Sequence, residues 1–470
     1  MVSSVAILGG GLAGLAAGVR LAQQGTAVTL IETSRRLGGR ATSHDDPQTG
    51  QTVDNCQHVL LGCCTNLVDL YRRLGVAEMI RWEADLHFFD KLGHHDILQA
   101  APLPAPLHLS PSMMRFGCLT LREKVAVSRG MLAIMRLKPS VREQLNAITF
   151  EQWLLDHGQP RGAIDKFWAV VIVSALNQWP STAAADSALQ VFQEGFLAHR
   201  DAYRMGVADV PLSQLYDPAR QLIEQAGGTV RLGTSIKTIK SEGDRVTGLE
   251  LADGERLQAD AYISALPFDR LAKVADANLR QSDDRLAGLA HFTHSPILGI
   301  HLWFDRPVVP HPHMIYVDSP LQWVFVKGTG DGERMPANAQ YLHGVISAAD
   351  EWVGQPAQAI LDMAVAELTA YLPETAEAKL LSGRVIKEKR ATFAPVVGLN
   401  AHRPGVSGRV ANLLLAGDWT DTGWPATMEG AVRSGYRAAA AATAEPGDDH
   451  GLVADLPAAA LYRLVAATAL

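Results

Sequence analysis

The chain has 470 residues, 47% of them hydrophobic and 19% charged, with a formal net charge of −7. That length supports two or three domains with substantial cores, and an acidic balance with no lysine–arginine block gives nucleic acid no electrostatic footprint. Cys56, Cys63, Cys64 and Cys118 form neither a C-x-x-C pair nor a metal-ligand spacing, so no metal is expected and a reduced, cytoplasmic setting fits best.

In chain order, the first predicted strand is the apolar run 5–8. It enters Gly9-Gly10-Gly11-Leu12-Ala13-Gly14, a small-residue helix to residue 24, and a stop at Gly25. A second strand over 27–31 ends at Glu32. This is strand, G-x-G-x-x-G, helix, strand, acid, the full context of a dinucleotide loop. Gly9 makes the tight turn, Gly11 admits a pyrophosphate, Gly14 lets helix and strand pack, and Glu32 accepts from a ribose. The phosphates are expected on the helix N-terminus. The uncharged run 1–19 lacks a basic stretch and is broken by glycines at nucleotide-loop spacing, so a signal peptide is not expected. Arg36, then Gly38-Gly39-Arg40, add a second close backbone approach and a cation. This continuation resembles the flavin-containing amine oxidase and phytoene desaturase superfamily, and the resemblance implies FAD.

A polar loop over 41–52 leads to Asp54-Asn55-Cys56-Gln57-His58 and a helix over 65–74 ending at Gly75. In the superfamily this segment passes the flavin ring. Its D-N-x-Q-H wording resembles the squalene-associated branch, the hydroxysqualene dehydroxylases of hopanoid synthesis. Cys56 stands where that branch usually has glycine, and a positive φ there would strain it. From residue 82 to about 208 the βαβ pattern gives way to a proline-rich extended run over 102–109, a Met-rich helix over 112–136, and helices carrying Trp153, Phe167, Trp168 and Phe192. A helical core and a surface for a lipid or a peripheral membrane contact are both open. Residues 97–114 are uncharged but broken by four prolines, so no membrane span is expected.

Nucleotide-domain pattern then returns. Asp217-Pro218 reads as an N-cap followed by proline. Strands are expected over 229–232, 236–239 and 246–251, with a hairpin at Asp253-Gly254 and a further strand over 260–266. By the resemblance, Ile236 lies against the adenine. Residues 295–305, 314–317, 322–326 and 340–347 alternate as an antiparallel sheet, with a covering helix over 357–371 walling it on one side. The wording over 295–305 again resembles the hydroxysqualene branch. Residues 412–419 read as a buried strand ending in Gly417-Asp418, and a small-residue helix starting near Met428 aims its N-terminus at the flavin. An alanine-rich tail follows.

The expected fold is therefore α/β: a Rossmann-like FAD domain from residues 1–85, 209–285 and 394–445, an inserted α+β substrate domain from 86–208 and 286–393, and a tail over 446–470. The candidate cofactor residues are Gly9, Gly11, Leu12, Ala13, Gly14, Glu32, Arg36, Gly38, Gly39, Arg40, Ile236, Gly417, Asp418 and Met428. The resemblance implies an oxidoreductase that reduces hydroxysqualene to squalene, hydride passing from flavin N5 to the allylic carbon as water leaves. The hydroxyl leaving group calls for a general acid. His58 is the candidate, with Gln57 and Asp54 as positioning groups and His301 as a weaker alternative. A phytoene-type desaturase, an amine oxidase with an aromatic pair before the flavin, and a non-catalytic flavin- and lipid-binding protein are the alternatives. Only one complete dinucleotide motif is present, so the electron donor is unassigned, as is the oligomeric state.

Overall fold

The computed structural model describes residues 2–330, 332–443 and 451–467. Its organising element is a five-stranded sheet in the order Thr229–Leu232, Ala27–Glu32, Ser4–Leu8, Ala261–Ser264, Leu413–Leu415. Every pairing in it is parallel. Such a sheet is covered on both faces, which is why its strands are continuous apolar runs rather than alternating ones. Helices Leu12–Gln23, Leu212–Gln225 and Met428–Thr443 pack together over one face through a core that includes Ile7, Leu15, Ile223 and Tyr436. Small residues let two of them approach closely: a Cβ added at Gly435 would stand 2.2 Å from the Ala13 carbonyl oxygen.

Two expectations about helices are corrected. Asp217-Pro218 does not start a helix; Pro218 lies inside Leu212–Gln225. Leu212, Leu215, Tyr216, Ala219 and Ile223 form one buried stripe, and burial of that stripe outweighs the single hydrogen bond the proline removes. The helix expected over 112–136 is two helices, Ser110–Arg115 and Leu121–Arg136. The break is held by the Asp96 carboxylate, which accepts from the Gly117 and Cys118 N–H groups at 2.6 and 3.0 Å. A Thr120–Glu123 capping box opens the second helix.

The second unit is a seven-stranded sheet in the order Leu380–Phe393, His294–Phe304, Gln340–Ser347, Trp323–Thr329, His313–Tyr316, Leu86–Phe89, His95–Leu98. It is mixed rather than purely antiparallel, because Ile315 and Tyr316 pair in parallel with Phe88 and Phe89. Nor is it walled on one side only. Leu298, Val324 and Ile346 pack with Ile360 and Leu368 of helix Ala357–Tyr371. Their neighbours Ile297, Phe325 and Val345 pack with the helical cluster of Phe150, Trp168 and Phe192. The period of two along each strand sends alternate side chains to opposite layers.

In the tail, helix Ala460–Ala467 lies against Leu121–Arg136. Asp455 pairs with Arg433 at 2.6 Å, and the Val453 N–H donates to Asn66 Oδ1 at 2.9 Å. The expected tail also includes 446–450 and 468–470, which lie outside the described residues. No helix among the described residues is long and apolar enough to cross a membrane.

The contact at Gly435 yields a direct test. Gly435→Ala pushes a methyl group into the Ala13 carbonyl, and is expected to cost about 1–3 kcal/mol, read as a lower midpoint of urea unfolding.

Candidate functional site

At the carboxyl ends of the parallel strands, where doubly wound sheets bind ligands, a cavity of about 730 Å³ separates the two sheets. Gly9, Gly11, Leu12, Ala13, Glu32, Gly38, Gly39, Arg40, Ile236, Gly417, Asp418 and Met428 line it. The chain's first and last motifs thus meet in one place.

The glycine loops explain the shape. Gly9 turns with φ +108°. A Cβ at Gly11 would meet nothing nearer than Gly39 Cα at 3.9 Å, so the backbone there is open. Gly39 has φ +62° and itself abuts Gly11. Helix Leu12–Gln23 starts at Gly11 with no side-chain cap, which leaves its first N–H groups free for an anion. Glu32 is held at the rim by the Gly10 and Ser34 N–H groups, at 2.6 and 2.7 Å. Across the cavity, Arg40 donates to Asp418 Oδ1 at 2.6 Å and to the Ala391 carbonyl at 3.0 Å. The Gly417 N–H donates to Ser434 Oγ at 2.7 Å, and Thr427 caps the helix start by accepting from Gly430 at 3.1 Å.

Two expected cofactor residues do not reach the cavity. Arg36 is exposed and donates to the Ser43 carbonyl at 3.1 Å; its place in the loop turns the side chain outward. Gly14 is a packing residue, since a Cβ there would lie 1.9 Å from the Gly9 carbonyl oxygen.

The segment after Asp54 divides. Gln57 and His58 line the cavity, whereas Asp54 does not. Asp54 is buried and accepts from Ser43 Oγ at 2.7 Å and from the Leu212 N–H at 3.0 Å. Its carboxylate therefore anchors the start of helix Leu212–Gln225 rather than positioning a catalytic group. Cys56 is buried with a negative φ, so the strain considered for it does not arise. His58 Nδ1 lies 2.9 Å from the Cys56 carbonyl and donates to it. Burial pushes the His58 pKa down, despite the Cys56 carbonyl and Asp54. That direction favours the neutral ring, which, with Nδ1–H committed to the carbonyl, presents Nε2 as an acceptor. His301 is away from the cavity; it bonds Tyr341 at 2.7 Å, and burial pushes its pKa down to about 3.

Three further residues shape the site, and two of them, Arg403 and Glu388, lie outside any motif. Asn55 donates to the Arg40 carbonyl, joining the His58 segment to the Gly-Gly-Arg loop. Arg403 gathers the carbonyls of Asp418, Thr420 and Trp424 at 3.0, 2.6 and 2.7 Å, shaping the turn after Gly417. Glu388 lines the cavity from strand Leu380–Phe393. Burial raises its pKa, outweighing a hydrogen bond from Asn55 and the charge of Arg40.

These residues fit FAD. The uncapped helix start and the open face of Gly11 suit a pyrophosphate, and the buried Gln57 Oε1, which has no partner, suits a donor of the ring system. Loss of the Arg40–Asp418 link is expected to weaken FAD binding roughly 10- to 100-fold. Arg40→Met should therefore purify with a lower ratio of flavin to protein absorbance.

Comparison with known proteins agrees with this geometry. The chain is 30% identical over 456 residues to hydroxysqualene dehydroxylase of Rhodopseudomonas palustris, covering 93% of this chain and 98% of that one. It is 26% identical over 452 residues to 15-cis-phytoene desaturase of Synechococcus elongatus, covering 92% and 94%. An oxidoreductase structure from Methanosarcina mazei shares the fold, with a TM-score of 0.69 at 16% identity, covering 92% of this chain and 98% of that one. The model of the flavin containing amine oxidoreductase family matches residues 12–443. With that match added to the two glycine loops and the Gly417-Asp418 strand, the chain belongs to the flavin containing amine oxidoreductase family, and it is an FAD-dependent oxidoreductase.

Proposed function

We propose that the chain reduces hydroxysqualene to squalene with loss of water, the last step of squalene formation for hopanoids. The observation that carries this reading is the end-to-end similarity to hydroxysqualene dehydroxylase, which spans 98% of that enzyme. The D-N-x-Q-H wording adds to it, with Gln57 and His58 on the cavity wall.

FAD, when bound, supplies hydride transfer. The protein's part is orientation, exclusion of water and movement of a proton. The uncapped start of Leu12–Gln23 and the Gly11–Gly39 contact hold the dinucleotide, and the Arg40–Asp418 pair ties the two halves of the site together. Val59, Ala175 and Ile297 give the cavity an apolar wall, suited to a hydrocarbon chain. A departing hydroxide needs a proton, and Glu388 is the better source. Its carboxyl lines the cavity and keeps its proton to higher pH than an ordinary glutamate. His58, neutral with Nε2 free to accept, orients the alcohol O–H.

The phytoene-type desaturase is the second reading, favoured by the 26% identity to the Synechococcus enzyme. It would run in the oxidative direction. The amine-oxidase reading is weaker. Among the described cavity-lining residues there is no tyrosine or phenylalanine, and the one tryptophan, Trp419, has its indole N–H bonded to the Leu266 carbonyl at 3.0 Å.

Reduced protein supplied with hydroxysqualene, and oxidised protein supplied with phytoene, separate these readings by product identification. Squalene from the first alone is expected; desaturated phytoene would overturn the proposal. Glu388→Gln is expected to retain FAD and slow squalene formation about 100-fold or more. The pH dependence follows in sign. A carboxyl with a raised pKa is protonated below that pKa, so wild-type turnover falls as pH rises through it, and Glu388→Gln loses this limb. An unchanged rate and pH profile in the variant would remove Glu388 from the role.

A further inference from the structure

We propose that His87, His95 and His311 form a binding site for one divalent first-row cation of the zinc type, apart from the flavin cavity. The argument begins with the strand period. His87 and Phe89 project from the same face of strand Leu86–Phe89. Register places Phe89 opposite His95 on strand His95–Leu98, so all three side chains share that face. The next strand, His313–Tyr316, runs parallel to the first, and the residue two positions before it is His311.

The three imidazoles converge. His87 Nδ1 and His95 Nε2 are 3.0 Å apart, and each residue offers a ring nitrogen within 4.8 Å of the other two. The His311 ring lies 4.6 Å from each of the others, centroid to centroid. Tetrahedral bonds of about 2.0–2.1 Å put ligand nitrogens about 3.3–3.5 Å apart, so one pair is already close and the exposed His95 ring has room to adjust. Phe89 stacks on His95 at 4.3 Å, and the buried His313 accepts from the His87 N–H at 3.3 Å, fixing the site from beneath.

Of the neighbouring acids, Asp90 bonds His94 at 2.7 Å, Asp96 holds Gly117 and Cys118, and the exposed Asp85 lies near His87. Three imidazoles with a fourth position open to water are a nitrogen donor set that zinc, cobalt(II) and nickel(II) accept. Among the described residues no carboxylate completes the set, which disfavours calcium and magnesium. These strands lie at the opposite edge of the seven-stranded sheet from His294–Phe304 and Leu380–Phe393, which carry Ile297 and Glu388 to the flavin cavity. A bound ion would clip the edge hairpin to the segment before His313.

The test uses tag-free, FAD-loaded full-length protein, stripped with a chelator and titrated with cobalt(II). One equivalent is expected to develop ligand-field absorption outside the flavin bands, to be displaced by zinc, and to raise the thermal midpoint. His95→Ala and His311→Ala should each weaken binding at least tenfold while retaining FAD. His291→Ala, in a stacked pair with His402 elsewhere, should leave it unchanged. Absence of the one-equivalent signal in the wild type, or its persistence in the His95→Ala/His311→Ala double variant, would overturn the proposal.

Discussion

The structure depends on backbone segments coming closer than side chains allow. Gly14 sits against the Gly9 carbonyl, Gly39 against Gly11, and Gly435 against the Ala13 carbonyl. Together these contacts bring the turn after the first strand, the Gly-Gly-Arg loop and the closing helix to one point. Only there can an uncapped helix start, an open peptide face and the Arg40–Asp418 pair all address one bound dinucleotide. Larger residues at these positions would separate the elements and disperse the site.

How legible the site was in sequence follows from the range of each interaction. The dinucleotide loop could be read because its parts lie within 32 residues and each glycine has a local steric reason. The Gly417-Asp418 strand could be read for the same reason. What failed depended on partners far along the chain. Asp54 reads as a positioning group for His58 until the Leu212 N–H, 158 residues away, is seen to take it. Pro218 reads as a helix start until the stripe from Leu212 to Ile223 is seen buried. The burial that lowers the His58 pKa is likewise set by residues from across the fold. Arg403 and Glu388 sit in stretches with no motif at all. Arg36 and Arg40 occupy equivalent-looking places in the loop, and only the fold shows which one faces inward.

The second sheet shows the same economy in a different form. Its strands are apolar on both sides because helices cover both layers, so alternation of polarity was a weaker guide there than alternation of destination. One layer stabilises the sheet against helix Ala357–Tyr371, and the other joins it to the helical insert beside the cavity. Asn177 makes that join specific, donating to the Ser295 carbonyl and to Thr392 Oγ1 at 3.1 and 2.9 Å.

The nucleotide sheet is assembled from segments starting at residues 4, 27, 229, 261 and 413, and this order has a consequence for biosynthesis. A ribosome releases the glycine loop long before the Gly417-Asp418 strand. Arg40 therefore waits for its carboxylate through the synthesis of some 378 residues. Throughout that interval the opening helix has no closing helix to pack against, and the dinucleotide has only half a cradle. Tight cofactor capture thus waits for the Gly417-Asp418 segment, and a polypeptide that has not reached it is denied the stabilisation that the flavin brings.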